Sequence, residues 1–289
     1  MSYHVEILDD YYLSITLLVT IGFQFIFFII TALLKFDKLT DFAGGTNFLL
    51  LALLTFFLGG TFYVRQIIDT LLVALWAFRL AGFLFFRIIK WGEDNRFDEI
   101  RENIFKLAFF WTLQAIWVWT VSLPLTILNS DEIDENLTAF DYIGWALFLI
   151  GLGIETISDF QKLFYKQKVK DHWCDVGLWS WSRHPNYFGE ILLWFSLFMS
   201  VANILSGWEW LVIVSPLFIT FLLLFVSGIP IQERTQQKRY CESEKRDEFL
   251  HYKHRTSTII PFPPALYEKI PRVLKIILFL DFPFYSPNV

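Results

Sequence analysis

The sequence predicts an all-α, polytopic membrane bundle of about seven transmembrane helices, and three observations carry that expectation. Of its 289 residues, 55% are hydrophobic, 19% aromatic and only 18% charged, with a mean hydropathy of +0.47. A chain so apolar has more greasy surface than a soluble core can bury, so most of its exterior must face lipid. Seven stretches come near the roughly 20 mostly apolar residues that a bilayer core requires. They run at about 11–34, 46–64, 66–89, 104–128, 140–158, 186–205 and 208–228. Strand-like alternation and internal repeats are absent from the sequence, which leaves helices as the spanning elements. No Pro-, Gly- or Ser-rich linker divides the stretches, so residues 1–289 read as a single membrane domain.

The first stretch follows Glu6, Asp9 and Asp10 rather than a positive leader, and it is too long for a signal-peptide core. It therefore reads as a true span. The later spans are placed by the charges between them. Lys35 and Lys38 follow the first; Arg87, Lys90, Arg96, Arg101 and Lys106 separate the third from the fourth; Lys162, Lys166, Lys168, Lys170 and Arg183 separate the fifth from the sixth. The 129–141 loop has five acids and no base, and the turn near 206 has no base either. Because Lys and Arg collect on the cytosolic side, this alternation predicts a lumenal N-terminus and a cytosolic C-terminus, with Arg65 the one exception. Asn136-Leu137-Thr138 in the acidic loop is a glycosylation sequon consistent with a lumenal face. The tail 229–289 is expected to be cytosolic, with "PRVLKIILFLDFPF" at 271–284 too short to span and amphipathic enough to lie on the membrane surface.

Other classes are excluded on composition. Cys174 and Cys241 lie far apart and outside any metal-ligand spacing, so neither a disulfide framework nor a metal site is expected. His4, His172, His251 and His254 form no metal pattern, and nothing suggests nucleic-acid binding. The 12 Trp and 33 Phe are expected mostly at the lipid face and the interfacial belts.

The chemistry gathers at the entry to the sixth span, in "GLWSWSRHPNYFGEILLW" at 177–194. Pro185 suits a first helical turn, where its missing N–H costs nothing. From there Asn186, Glu190 and Trp194 recur on one helix face. Taken alone, that pattern also suits a helix cap with a solvated acid. A second polar stripe, Glu155, Asp159, Lys162 and Lys166, ends the preceding span. Arg79 lies about ten residues, or roughly 15 Å, inside the third span by helical rise. A guanidinium there cannot discharge itself, so it needs an acid such as Asp69 or Glu155, or a ligand. Ionisable groups within spans usually face a protein interior or a water-filled cavity. Three such intrusions predict a cofactor cavity open to the cytosol.

These motifs carry a resemblance. Glu155-x-x-x-Asp159-x-Gln161-Lys162, the run Gly177 to Glu190, "SGIPIQE" at 227–233 and "YKHRTSTIIP" at 252–261 resemble the DUF1295 branch of the steroid 5-alpha-reductase C-terminal family, which extends to sterol reductases. "LTDFAGGTNF" and "WAFRLAGFLFFRIIKWGEDNRFDEIR" extend the resemblance upstream. It implies a membrane reductase that takes NADPH from the cytosol and reduces a carbon–carbon double bond of a sterol- or lipid-like substrate, in the endoplasmic reticulum if the chain is eukaryotic. By the same resemblance Asp159, Lys162, Lys166, Arg183, Asn186, Tyr187, Glu190, Arg234, Tyr240 and Tyr252 contact the cofactor. Trp76, Arg79 and Trp194 border the substrate.

One position departs from the family. Steroid 5-alpha-reductases have a proton-donating Tyr where this chain has Trp76, and an indole cannot deliver a proton as a phenol can. The glutamate that partners that Tyr has only Asp41 near it in sequence. Tyr63 and Tyr187 are the remaining candidates for the acid. Two other functions stay open on the sequence: a membrane methyltransferase using S-adenosylmethionine, whose relatives share a motif close to Arg-His-Pro-x-x-Tyr-x-Gly, and a lipid-binding protein without catalysis.

Overall fold

The computed structural model describes residues 8–34, 39–91 and 103–285. Its principal helices are α1 (Leu13–Leu34), α2 (Leu39–Gly59), α3 (Val64–Trp91), α4 (Ile104–Ser130), α5 (Ala139–Lys168), α6 (Pro185–Val201), α7 (Val214–Phe221), α8 (Ile229–Cys241), α9 (Arg246–Arg255) and α10 (Arg272–Phe279). Among the described residues there is no β-strand, only an isolated bridge between Ser182 and Ser257. Lys35, Lys38, Arg96 and Arg101, used above for orientation, lie outside the described residues, as do the side chains of Asp41, Arg87 and Lys90.

Among the described residues, six helical stretches are long and apolar enough to cross a membrane: Leu13–Leu33, Phe42–Gly59, Val64–Leu84, Ile104–Ser130, Ala139–Lys168 and Gly207–Cys241. The chain is thus a multi-pass membrane protein. The seventh expected span, 186–205, is shorter than its hydropathy suggests. α6 has 17 residues, a rise of about 25 Å, and the chain leaves the helix at Ala202. α5 errs the other way, running ten residues past the expected end at 158. Its polar last turns satisfy their backbone internally whether or not lipid surrounds them.

The described residues cluster into two compact units that interleave in sequence, 1–148 with 194–218 and 149–193 with 219–289. In the first, α2 packs on α3 and α4, and α1 on α2 and α4. Phe57, Leu71, Phe78 and Phe109 are each more than 60% exposed, as expected of a surface in lipid.

Inside this unit several polar residues are tied to one another. Arg65 donates to both oxygens of Asp141, at 2.6 and 3.2 Å, and to the Asn136 carbonyl at 3.1 Å. Asp141 also accepts from the Thr138 N–H at 2.7 Å. The one Arg that broke the charge alternation is therefore a buried, neutralised group, and the sequon is folded into its tie. Asp69 accepts from Trp145 Nε1 at 2.7 Å and Ser200 Oγ at 2.9 Å. Asn129 donates to Thr55 and Thr70, and Gln24 to Asn47. Each pairing removes a desolvation cost that would be severe in an apolar interior.

Candidate functional site

The second unit holds most of the residues expected to act. Its frame is the antiparallel packing of α5 on α6, which is close because both helices present glycine. A Cβ on Gly189 would lie 2.6 Å from the Gly151 carbonyl oxygen and 2.8 Å from the Glu155 nitrogen. A Cβ on Gly151 would lie 2.7 Å from the Gly189 carbonyl oxygen. With Gly151 against Gly189–Leu193 and Glu155 against Gly189, the antiparallel register carries Asp159, one turn on, to the level of Asn186.

Asn186 is the informative member. Its Oδ1 is buried and has no hydrogen-bond partner. Leaving such an acceptor unpaired costs about 1–3 kcal/mol, so a donor supplied here would be stabilising. Glu190 follows one turn later on the same face. Asp159, Asn186, Tyr187 and Glu190 are all partly buried. Tyr187 stacks on His184 with centroids 5.5 Å apart and planes 5° from parallel.

A turn before α6 is locked to α5. Gly177 has φ +58°, and a Cβ there would strike the Gln161 amide, so only glycine fits. Gln161 Oε1 accepts the Leu178 N–H at 3.0 Å, and Trp179 Nε1 donates to the Ser158 carbonyl at 2.8 Å. Lys162 places its ammonium 4.6 Å from the Trp179 ring centroid. Lys166 donates to the His172 carbonyl and, at 3.0 Å, to Tyr240 Oη. Tyr240 and Tyr252 pack with Trp173 and Phe249, and the Tyr252 hydroxyl donates to the Trp179 carbonyl at 2.8 Å. Burial holds that phenol well above its ordinary pKa.

Arg183 departs from its expected role. It is a structural tie, because its donors are committed within the protein. Nε donates to Glu233 at 2.9 Å, Nη1 to the carbonyls of Lys253 and Thr256, and Nη2 to Thr258 and Asp281 at 2.9 Å each. It thereby caps the C-terminal turn of α9, where carbonyls lack helical partners. Glu233 also accepts from His184 Nε2 at 3.0 Å and pairs with Lys253 at 2.7 Å. Burial, despite Glu233, lowers the His184 pKa, so the ring is neutral at pH 7 and donates Nε2–H. Burial also pulls Lys253 below its ordinary value, with Glu233 opposing. Arg234, by contrast, is exposed on α8. Glu233, Lys253 and Asp281 were not singled out as partners of Arg183, since no local spacing announces contacts 50 to 98 residues apart.

Trp76, Arg79, Trp194 and Tyr63 belong to the first unit. Trp76 and Trp194 meet edge to face at 4.9 Å, with Phe48 at 5.1 and 5.4 Å from them. Both are fully buried, and both Nε1–H groups lack a partner. A cavity of about 10 Å³ beside Trp194 and Phe48 has room for one water. Arg79 sits 6.0 Å from the Phe83 ring centroid. Asp69, one of its expected partners, is ten residues or about 15 Å away along α3 and belongs to Trp145 and Ser200. The Tyr63 expectation fails on position. Its hydroxyl donates to the Glu132 carbonyl at 2.8 Å, and Trp76 and Arg79 lie roughly 20 and 24 Å further along the helix axis.

The fold and site define a multi-pass helical membrane protein in which two helices, close-packed through Gly151 and Gly189, carry polar stripes at the same level. Residues 27–256 match the family described as "Protein of unknown function (DUF1295)", and the chain belongs to that family. It is similar to the uncharacterized protein C594.04c of Schizosaccharomyces pombe (strain 972 / ATCC 24843), 23% identical over an alignment of 165 positions, with coverage of 47% of this chain and 48% of that protein. The chain thus spans about half the length of the curated relative it matches. No solved structure gives a significant match.

Proposed function

We propose that the protein is a membrane oxidoreductase that uses NADPH to reduce a carbon–carbon double bond of a sterol- or lipid-like substrate. The observation that carries this reading is the buried, unpartnered Asn186 Oδ1, level with Asp159 and one turn from Glu190. An acceptor flanked by two carboxylates suits a ligand rich in N–H and O–H donors, as a carboxamide and ribose hydroxyls are. Lys162 and Lys166 supply cations for phosphates on the same helix. NADPH, when bound, supplies hydride; the chain's part is to orient it, exclude water and deliver a proton. Tyr187 is the remaining phenol for that proton, since Trp76 cannot give one.

The filled Trp76–Trp194–Phe48 cluster favours a second reading, a lipid-binding protein without turnover. If α6 also crosses, as a seventh span beside the six long helices, the charge alternation favours a lumenal N-terminus and a cytosolic C-terminus, with residence in the endoplasmic reticulum if the chain is eukaryotic. The deciding experiment incubates the reconstituted protein with NADPH and a membrane lipid extract. Oxidation of NADPH together with a lipid product heavier by two hydrogens supports the reductase; binding of NADPH without either favours the second reading.

A further inference from the structure

A second polar site lies among residues of the second unit, and none of Asp159, Asn186 and Glu190 lines it. A cavity of about 460 Å³ is lined by Arg183, His251, Lys253, Arg272, Lys275 and Asp281, among others. That volume falls in the range of small-ligand sites, about 300–1,000 Å³. Its charge is unbalanced. Asp281 is occupied, Oδ1 accepting from Arg183 and from Thr258 at 2.6 Å and Oδ2 from Tyr267 at 3.0 Å. Glu233 is occupied by Arg183 and Lys253. Four cations face Asp281 and Glu233, with Glu268, 3.9 Å from His254, as the third acid; the cations left without a carboxylate at ion-pair distance are Lys275 and Arg272.

Lys275 is buried. It donates once, to the His254 carbonyl at 2.8 Å, and sits 4.3 Å from the Tyr267 ring centroid. An ammonium has three donors, so two remain. Burial pulls Lys275 below its ordinary pKa, and the like charges of Arg183 and Arg272 add to that while Asp281 opposes. Arg272 and His251 have no partner among the described residues, and both line the cavity. A phosphomonoester, with a charge of about −1.5 to −2 at pH 7, matches the excess.

The helix that carries these two cations also shows which phosphomonoester fits. On α10, Lys275 and Phe279 turn inward while Val273, Leu274, Ile277 and Leu278 are 64, 44, 64 and 56% exposed. An amphipathic helix on a membrane protein lays such a face into the headgroup–acyl boundary. We infer that this pocket holds the phosphate headgroup of an anionic phospholipid, bound by Arg272, Lys275 and His251, with the acyl chains along the apolar face of α10.

The test uses the purified full chain in neutral detergent, read by thermal unfolding with dioctanoyl phosphatidic acid, dioctanoyl phosphatidylcholine or glycerol phosphate. Phosphatidic acid should raise the melting temperature, and the other two should not. Arg272→Gln, at an exposed site, should leave the unliganded melting temperature unchanged and weaken phosphatidic acid about tenfold or more. Ile277→Ser should weaken it independently through the acyl contact. Equal stabilisation by glycerol phosphate would make this a site for a soluble ester and overturn the assignment. An undiminished phosphatidic acid shift in Arg272→Gln would overturn it too. So would an NADPH shift lost in Arg272→Gln, because the pocket would then belong to the dinucleotide.

Discussion

Replacing Glu233 by Gln removes the carboxylate on which three basic side chains converge. Its Oε1 lies 2.9 Å from Arg183 Nε and 3.0 Å from His184 Nε2, and its Oε2 lies 2.7 Å from Lys253. Gln keeps the volume and one acceptor oxygen, so packing survives and the loss is electrostatic. Arg183 retains Asp281, but Lys253, with a side chain 9% exposed, loses its counter-ion. Breaking a buried pair by removing one partner costs about 3–5 kcal/mol, because the other charge is left uncompensated. Adding Lys253→Met to Glu233→Gln removes the ammonium that Glu233 neutralised. The double mutant should therefore be destabilised less than the sum of the single losses, with a coupling of at least about 1 kcal/mol. Denaturant unfolding in neutral detergent measures all four proteins. Glu233→Gln within about 0.5 kcal/mol of wild type, or losses that simply add, would refute the reasoning.

Acid should act through Asp281. Burial pushes this carboxyl up, but Arg183 and the hydroxyls of Thr258 and Tyr267 outweigh it and hold it below the usual range. The unfolded chain therefore binds this proton more readily, so the stability from Asp281 is complete above about pH 3.9 and is lost as pH falls through the folded value. Asp281→Asn should lower stability at neutral pH and flatten that acid limb, and an unchanged limb would count against the assignment. At the α5–α6 crossing, Gly189→Ala should cost about 1–3 kcal/mol by overpacking, whereas Gly153→Ala, with nothing within 4 Å of its new Cβ, should be neutral or stabilising; equal effects would remove the close-packing argument. Trp76→Tyr should create or raise turnover of a 3-keto, 4-ene steroid if the substrate is of that kind, since a phenol restores a proton donor. Brisk turnover by the wild type would show that another residue already supplies the acid.

The spans were legible because length and hydropathy are local properties, and α1, α3 and α4 begin and end within a few residues of expectation. Boundaries moved where helix and hydropathy part company. α5 continues through ten polar-rich residues past 158, and α2 starts at Leu39 rather than 46. Within 271–284, α10 forms a short helix with an exposed apolar face. At the site, the stripe on α6 and the stripe on α5 could be read separately from helical spacing. Their close approach depends on Gly151 and Gly189, which carry no chemistry of their own. Arg183 was misassigned because a conspicuous Arg beside His and Pro looks like a ligand group, while its partners Glu233 and Asp281 lie 50 and 98 residues away. The interleaving of the two units has no compositional mark, since α5 and α6 each serve both.

The proposed function rests on binding of a reduced nicotinamide dinucleotide at Asn186, where α6 faces α5. The direct measurement is an equilibrium titration of NADPH into the purified wild type and Asn186→Leu, with S-adenosylmethionine as the competing ligand class. Saturable NADPH binding by the wild type is expected, weakened about 5- to 150-fold in a folded Asn186→Leu protein, with no binding of S-adenosylmethionine. Identical NADPH affinity in the two proteins, or binding of S-adenosylmethionine alone, would contradict it.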